Sequence, residues 1–143
     1  PLPGVSAEIA PPPEVTDSEI EETGEKVSNE YFDEVGLLDR CLNRRDFAEE
    51  IVQEFLDTVD AYRAGIAKSF ETDDAALIEA EVHQLKGVAG NLSATMVFET
   101  SNQMLAMVRK GEIEPARQLI SELTSQMDAT IPVLREFVTP VTV

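Results

Sequence analysis

Residues 78–92 read IEAEVHQLKGVAGNL, and this stretch decides the fold. Its apolar residues recur at steps of four and three, the stripe of an amphipathic helix that packs on a core. The stripe consists of Ile78, Val82, Leu85, Ala89 and Leu92. At about 100° per residue, His83 lies roughly 140° from the centre of the stripe. The spacing therefore predicts a helix whose outer face exposes the only histidine of the chain.

Two glycines follow His83 on the outer side of this predicted helix, Gly87 after one turn and Gly90 after two. A glycine inside a helix costs about 1 kcal/mol relative to alanine, and the predicted fold needs neither of them. Bare backbone lets another molecule approach closely, so the glycines indicate a surface that a partner protein reaches. Lys86 is three residues after His83, within side-chain reach on the helix surface. Its ammonium group would offset negative charge placed on the imidazole.

Working outward from this stretch, the sequence predicts further helices and no strand. Apolar spacing and turn residues predict helices over about 33–42, 46–70, a third that ends near 92, 94–110, and a last one from about 115. Short connections between long amphipathic helices favour an all-α fold. We expect an antiparallel up-down four-helix bundle with a short additional N-terminal helix.

The helix ends and the inward faces can also be assigned from the sequence. Thr72 or Asp73 can cap the third helix, Ser93 can cap the fourth, and Gly111 can end it. Pro132 should kink or interrupt the last helix. The predicted inward residues outside the third helix are Val35, Leu38 and Leu42, then Phe47, Ile51, Phe55, Val59, Tyr62, Ile66 and Phe70, then Val97, Ser101, Met104 and Val108, then Ala116, Ile120, Leu123, Met127, Ile131 and Leu134.

Composition excludes several classes of function. The 143 residues suffice for one domain with a core, and a net charge of −17 makes nucleic acid and anionic membranes unfavourable partners. No apolar run approaches the roughly 18 residues that span a bilayer. The single cysteine, Cys41, excludes an internal disulfide and is expected to be a small buried residue. Glu79 and His83 are four apart, but a metal site needs about four ligands, so we expect no metal and no cofactor.

The first 30 residues differ from the rest of the chain. They contain five of the eight prolines and eight acids against one base. Such a segment cannot bury enough apolar surface to offset the entropy of ordering. We therefore predict a flexible acidic linker over residues 1–30, a helical bundle over 31–138 and a short tail over 139–143.

The pattern resembles the histidine-containing phosphotransfer (HPt) domain. The resemblance is carried by His83, Leu85, Lys86 and Gly87, by the run Asn91 to Ala94, and upstream by Phe32-Asp33, Leu37 to Arg40, and Phe55. It covers about residues 31–138. Family members are four-helix bundles whose exposed histidine carries a phosphoryl group between receiver domains of response regulators. They often form the C-terminal module of a hybrid sensor histidine kinase, behind a linker.

The resemblance also implies roles for residues. His83 would be the phosphoacceptor, Lys86 would screen the phosphoryl charge, and Gly87 would clear the approach path. A docking surface for the partner is expected around them, formed by Glu79, Gln84, Gly87, Gly90 and Asn91. The chain departs from the family at two positions, with Ser93 where glycine is usual and Leu105 where a glutamine often faces the histidine. Asn102 and Gln103 are the nearest polar substitutes.

We therefore expect a phosphoryl carrier with no kinase active site of its own, which accepts the phosphoryl group from a receiver aspartate and passes it reversibly to another receiver. Mg²⁺ would belong to the partner receiver only. We expect a monomeric isolated domain in the cytoplasm, and tethering to a membrane-bound sensor kinase stays open. Two alternatives also stay open: a phosphoacceptor domain labelled directly by a chemotaxis-type or other histidine kinase, and a non-catalytic helical interaction bundle.

Overall fold

The computed structural model describes residues 30–138, and the predicted tail and all but the last residue of the predicted linker lie outside them. Within this range the chain forms six helices and no extended strand. They are α1 (Glu34–Arg40), α2 (Arg45–Glu71), α3 (Ala75–Leu92), α4 (Thr95–Arg109), α5 (Ile113–Arg117) and α6 (Ile120–Val138).

The four long helices form a bundle in which α2, α3, α4 and α6 each pack on two neighbours in a closed ring. Helices α3 and α4 are antiparallel. Glu79 near the start of α3 contacts Arg109 at the end of α4, and Gly90 near the end of α3 lies beside Phe98 near the start of α4. The predicted all-α four-helix bundle with a short N-terminal helix is confirmed.

The predicted core stripe of α3 is confirmed at every position, since its five apolar residues are all buried. Burying a side chain such as Leu85 stabilises the fold by about 2 kcal/mol, so the stripe fixes the rotation of α3 about its axis. The N-cap of α3 is Asp74, whereas Thr72 or Asp73 was predicted. The carboxylate of Asp74 accepts from the backbone N–H groups of Ala76 and Leu77, which otherwise lack a partner at a helix start.

The first helix follows the sequence prediction less well. Val35 and Leu42 were expected to face inward, but they are 69% and 82% exposed, and Leu37 is the buried residue. For Leu42 the reason is that α1 ends at Arg40, so this residue lies beyond the helix in a left-handed conformation with φ 57°. The helical phase used to assign it does not apply there. Cys41 is buried, as expected.

Two other predictions about helices are wrong. Phe47 is 48% exposed, because the inward row of α2 starts one residue later, at Ala48, and continues through Val52 and Phe55. The last predicted helix is divided into α5 and α6. Arg117 ends α5, and its Nη2 donates to the backbone oxygen of Phe70 at the end of α2, 2.7 Å away. By contrast α6 is continuous through Pro132, where a kink or an interruption was expected, so the helix is not interrupted there.

Candidate functional site

The side chain of His83 is exposed on the outer face of α3, in the middle of the helix. The structure confirms the exposure that the helical phase predicts. Its neighbours on the same helix divide into two groups. Gln84, Gly87 and Asn91 are exposed, whereas Glu79, Lys86 and Gly90 are half-buried.

Gly87 lies one turn after His83 and faces open space. A Cβ atom built on it would meet no heavy atom within 4 Å outside its own turn of helix, as far as residues 30–138 are concerned. The packing of the described bundle therefore gives no reason for glycine at this position. A mid-helix glycine costs about 1 kcal/mol relative to alanine, so contact with another molecule is a better explanation of Gly87.

Gly90 has a different environment, and here the sequence interpretation needs correction. A Cβ on Gly90 would lie 3.1 Å from Cδ1 and 3.2 Å from Cε1 of Phe98 on α4. These separations are shorter than ordinary carbon–carbon contact. A side chain at residue 90 would require the Phe98 ring to shift by a few tenths of an ångström, so packing within the bundle favours glycine here, unlike at Gly87.

Lys86 is directed toward the same ring. Its Nζ lies over the ring of Phe98, 5.9 Å from the ring centroid, within the range of a cation–π contact. The sequence prediction included Lys86 but not Phe98, which lies just outside the buried row of α4. The available signal was the short α3–α4 connection, which brings residues near 98 beside residues near 90 in an antiparallel pair.

The other end of the exposed face carries an ion pair between helices. Arg109 Nε on α4 lies 2.9 Å from Glu79 Oε2 on α3, and both side chains are about half exposed (51% and 42%). Glu79 was predicted to contact a partner, and the structure shows that one of its oxygens also binds within the bundle. Arg109 was not predicted from the sequence.

The C-terminal end of α3 is held by α1. Arg40 Nη2 donates to the backbone oxygens of Gly90 and Asn91, at 3.0 and 3.2 Å, and to Oγ of Ser93. The last carbonyl groups of a helix have no N–H partner four residues on, and the Gly90 oxygen accepts from both Arg40 and the backbone N–H of Ser93. Ser93 has φ 67° and follows α3 in the left-handed conformation that glycine adopts most readily. Its predicted role as the cap of α4 is wrong, since Ala94 occupies that position.

The polar partner expected on the fourth helix is absent from its usual place. Leu105 is 1% exposed and belongs to the core. Asn102 and Gln103 are both exposed. Counting about 100° per residue from Phe98, Asn102 lies roughly 40° away, on the edge that faces α3, and Gln103 roughly 140° away. Asn102 is therefore the better placed of the two.

Two general classes of site can be checked over the described range. No group of three or more His, Cys, Asp or Glu side chains within residues 30–138 is arranged to hold a metal ion. None of the helices in that range is both long and apolar enough to cross a membrane. What the exposed face offers is one nucleophilic imidazole, a nearby ammonium group and open space beside Gly87.

A chain with one exposed histidine on a four-helix bundle matches a known family. The Hpt domain family model matches residues 50–131, more than half of the chain, and the chain belongs to this family. The resemblance inferred from the sequence is thereby confirmed. Hpt domains are phosphotransfer carriers and not kinases, so membership supports histidine phosphotransfer in a phosphorelay.

Two individual proteins show the extent of the similarity. The phosphorelay intermediate protein rdeA of Dictyostelium discoideum is 23% identical over 106 residues, which is 74% of this chain and 42% of rdeA. The chain thus spans less than half the length of this curated relative. The crystal structure of histidine-containing phosphotransfer protein B (HptB) from Pseudomonas aeruginosa PAO1 has the same fold, with a TM-score of 0.72 and 16% identity, over 80% of this chain and 100% of HptB.

Proposed function

We propose that the bundle carries a phosphoryl group on His83, accepting it from an aspartyl phosphate of one receiver domain and passing it to an aspartate of another. The observation that carries the proposal is an exposed imidazole one turn before a glycine that borders open space. The relation to a phosphorelay intermediate protein also supports this function.

The proposed reaction is a direct displacement at phosphorus. The lone pair of an unprotonated ring nitrogen of His83 forms the N–P bond while the bond between phosphorus and the aspartyl oxygen breaks. The aspartate leaves as a carboxylate, and the reverse displacement on a second receiver returns the histidine to its free form. Positioning and charge neutralisation supply most of the rate of such transfers, so the bundle needs no catalytic base of its own.

The remaining residues of the exposed face would assist this reaction. Lys86 places a positive charge one turn from His83, where it would screen the phosphoryl oxygens. Gly87 would let the loops of the receiver come close to the ring. Glu79, Gln84, Gly90 and Asn91 would border the docking surface. The receiver would supply its own acidic cluster and Mg²⁺, and the bundle would hold no cofactor.

The decisive experiment incubates the bundle with a receiver domain phosphorylated on its aspartate and follows label transfer. We expect acid-labile label on the wild-type bundle and none on His83→Gln, since the nucleophile is removed while the exposed helix face keeps its size. Label on the His83→Gln protein at the wild-type rate would contradict the assignment.

A matched control tests whether an exposed histidine is sufficient for labelling or whether the residues around His83 are also required. The double variant His83→Gln with Gln53→His places an imidazole on the exposed surface of α2, where the following residues at three and four positions are Leu56 and Asp57. This histidine has neither a following lysine nor a following glycine, so we expect it to stay unlabelled. Labelling of this control would show that any exposed helical histidine suffices, and that the surroundings of His83 contribute nothing.

A further inference from the structure

We infer that Phe98 is a positioning residue for phosphoryl transfer: its ring, which lies beside Gly90, holds the ammonium group of Lys86 on the α4 side of the helix face that exposes His83. The inference rests on the proposed function and adds a residue to it. Three observations meet at this point: the cation over the ring at 5.9 Å, the contact between ring and Gly90, and the half-buried state of all three residues.

The first step of the argument concerns the lysine. A lysine side chain has four rotatable carbon–carbon bonds and loses much of its conformational freedom when it is fixed. A free surface lysine therefore spends little time in any one position. The face of an aromatic ring attracts the ammonium group through its quadrupole, so the Phe98 ring favours conformations in which Nζ stays on the α4 side of the exposed face.

The second step concerns the ring. Phe98 is half-buried and packs against the core, and its edge reaches the backbone of α3 at Gly90. A side chain on residue 90 would crowd the ring edge. Gly90 is seven residues after His83, which puts it two turns along the same side of α3, and Lys86 lies between them. Gly90 thus leaves room for the ring beside α3, where the ring faces Lys86.

The third step concerns charge. The chain carries 28 acids against 11 bases, and Glu79 lies on the same face as His83, where its carboxylate pairs with Arg109. A mobile Lys86 would have acidic groups to pair with elsewhere on such a surface. Holding it over an uncharged ring keeps its positive charge available for the incoming phosphoryl group.

The test combines single and double variants in a single-turnover transfer assay with varied concentrations of the phosphorylated receiver. We expect Phe98→Leu to lower the maximal transfer rate about threefold, the size of a surface cation–π contact, with the half-saturating receiver concentration unchanged. Phe98→Tyr keeps the ring and should transfer normally. In a Lys86→Met background, Phe98→Leu should have no further effect. The matched control is Phe47→Leu, on an exposed phenylalanine of α2, which should change nothing.

If Phe98→Leu fails to fold, a second variant and a second measurement still test the inference. Gly90→Ala deletes no side chain, and its Cβ would lie 3.1 Å from the Phe98 ring. It should therefore shift the ring and slow transfer, and this effect should be smaller in a Lys86→Met background. Independently, the ring should shift the ε-methylene proton resonances of Lys86 upfield of those of exposed Lys68 in NMR spectra, and this shift should vanish in Phe98→Leu.

Three results would overturn the inference: an equal effect of Phe98→Leu with and without Lys86, an effect confined to the half-saturating concentration, or matching resonances for Lys86 and Lys68. The first two would mean that Phe98 touches the receiver directly. A wild-type bundle that takes no label contradicts the proposed function itself. A labelled wild type without coupling between Lys86 and Phe98 contradicts this inference alone.

Discussion

Two nearby segments, one within α3 and one at its C-terminal end, each contain a surface glycine, but the two glycines have opposite environments. The open segment, residues 83–87, ends in a glycine that borders free space over the described part of the chain. The packed segment, residues 90–93, begins with a glycine whose missing side chain admits the ring of Phe98. The packed segment is also tied to α1 through Arg40.

The difference shows that a glycine on a helix surface has two physical explanations that the helical phase does not separate. Both glycines lie on the same side of the helix as His83. Gly90 leaves room for the Phe98 ring within the bundle, whereas Gly87 leaves room on the outside, where another molecule could approach. The two explanations are separated by the atoms that a Cβ would contact if it were built on each glycine. For the open segment that observation favours a partner, and for the packed segment it favours the bundle itself.

The largest expected effect is on the open segment. Gly87→Leu should reduce the rate of phosphoryl transfer by about a hundredfold or more, because a displacement of about 1 Å in the reacting geometry costs that much. The side chain would extend into free space beside the imidazole, so the helix should stay intact. The measurement is label transfer from a phosphorylated receiver, with helicity followed by circular dichroism.

The matched control for this variant is Ala64→Leu, which adds a similar bulk to an exposed position in the middle of α2. It should leave both transfer and helicity unchanged. Normal transfer by Gly87→Leu with wild-type helicity would remove the argument for close approach, and the open segment would then need another explanation.

The sequence predicts the open segment better than the packed one for a physical reason. The stripe of α3 extends over four turns, so its phase is fixed by five buried residues and places His83 outside with little ambiguity. The contacts of the packed segment come from Phe98 and Arg40, on other helices, and depend on how these helices meet. A single sequence gives the period of each helix but not the register between two of them.

Periodicity also fails to predict where short helices begin and end. In α1 the spacing of Val35, Leu38 and Leu42 suggests an inward face, but a helix of seven residues ends before the last of them. The division between α5 and α6 is likewise unmarked by periodicity, and Arg117, the last residue of α5, donates a hydrogen bond to the Phe70 backbone oxygen at the end of α2. Ser93, which stands where the family usually has glycine, adopts the left-handed conformation, whereas it was predicted to be the cap of α4.

The next prediction compares the two glycines directly through stability. Gly87→Ala should raise the free energy of unfolding by about 1 kcal/mol, since alanine favours the helix and its Cβ meets only free space. Gly90→Ala should give no such gain, because overpacking against Phe98 costs about 1 kcal/mol or more and offsets the same helical preference. Urea denaturation with an unchanged slope measures both. Equal gains at the two positions would mean that the Phe98 ring moves aside freely, and the distinction between the segments would fail.

The smallest expected effect concerns the ion pair that joins α3 to α4 beside the open segment. Glu79→Gln should lower the free energy of unfolding by no more than about 0.5 kcal/mol, because exposed ion pairs are weak and are screened by salt. A cycle with Arg109→Gln in urea at low and high salt isolates the pair. The comparison pair is Arg63–Asp128, at 2.6 Å, where the arginine is 25% exposed, so Asp128→Asn should have the larger and less salt-sensitive effect. A stability loss at Glu79 as large as that at Asp128 would show that the open segment is also fixed by its contact with α4, which would make it an ordered docking face and not merely an uncrowded one.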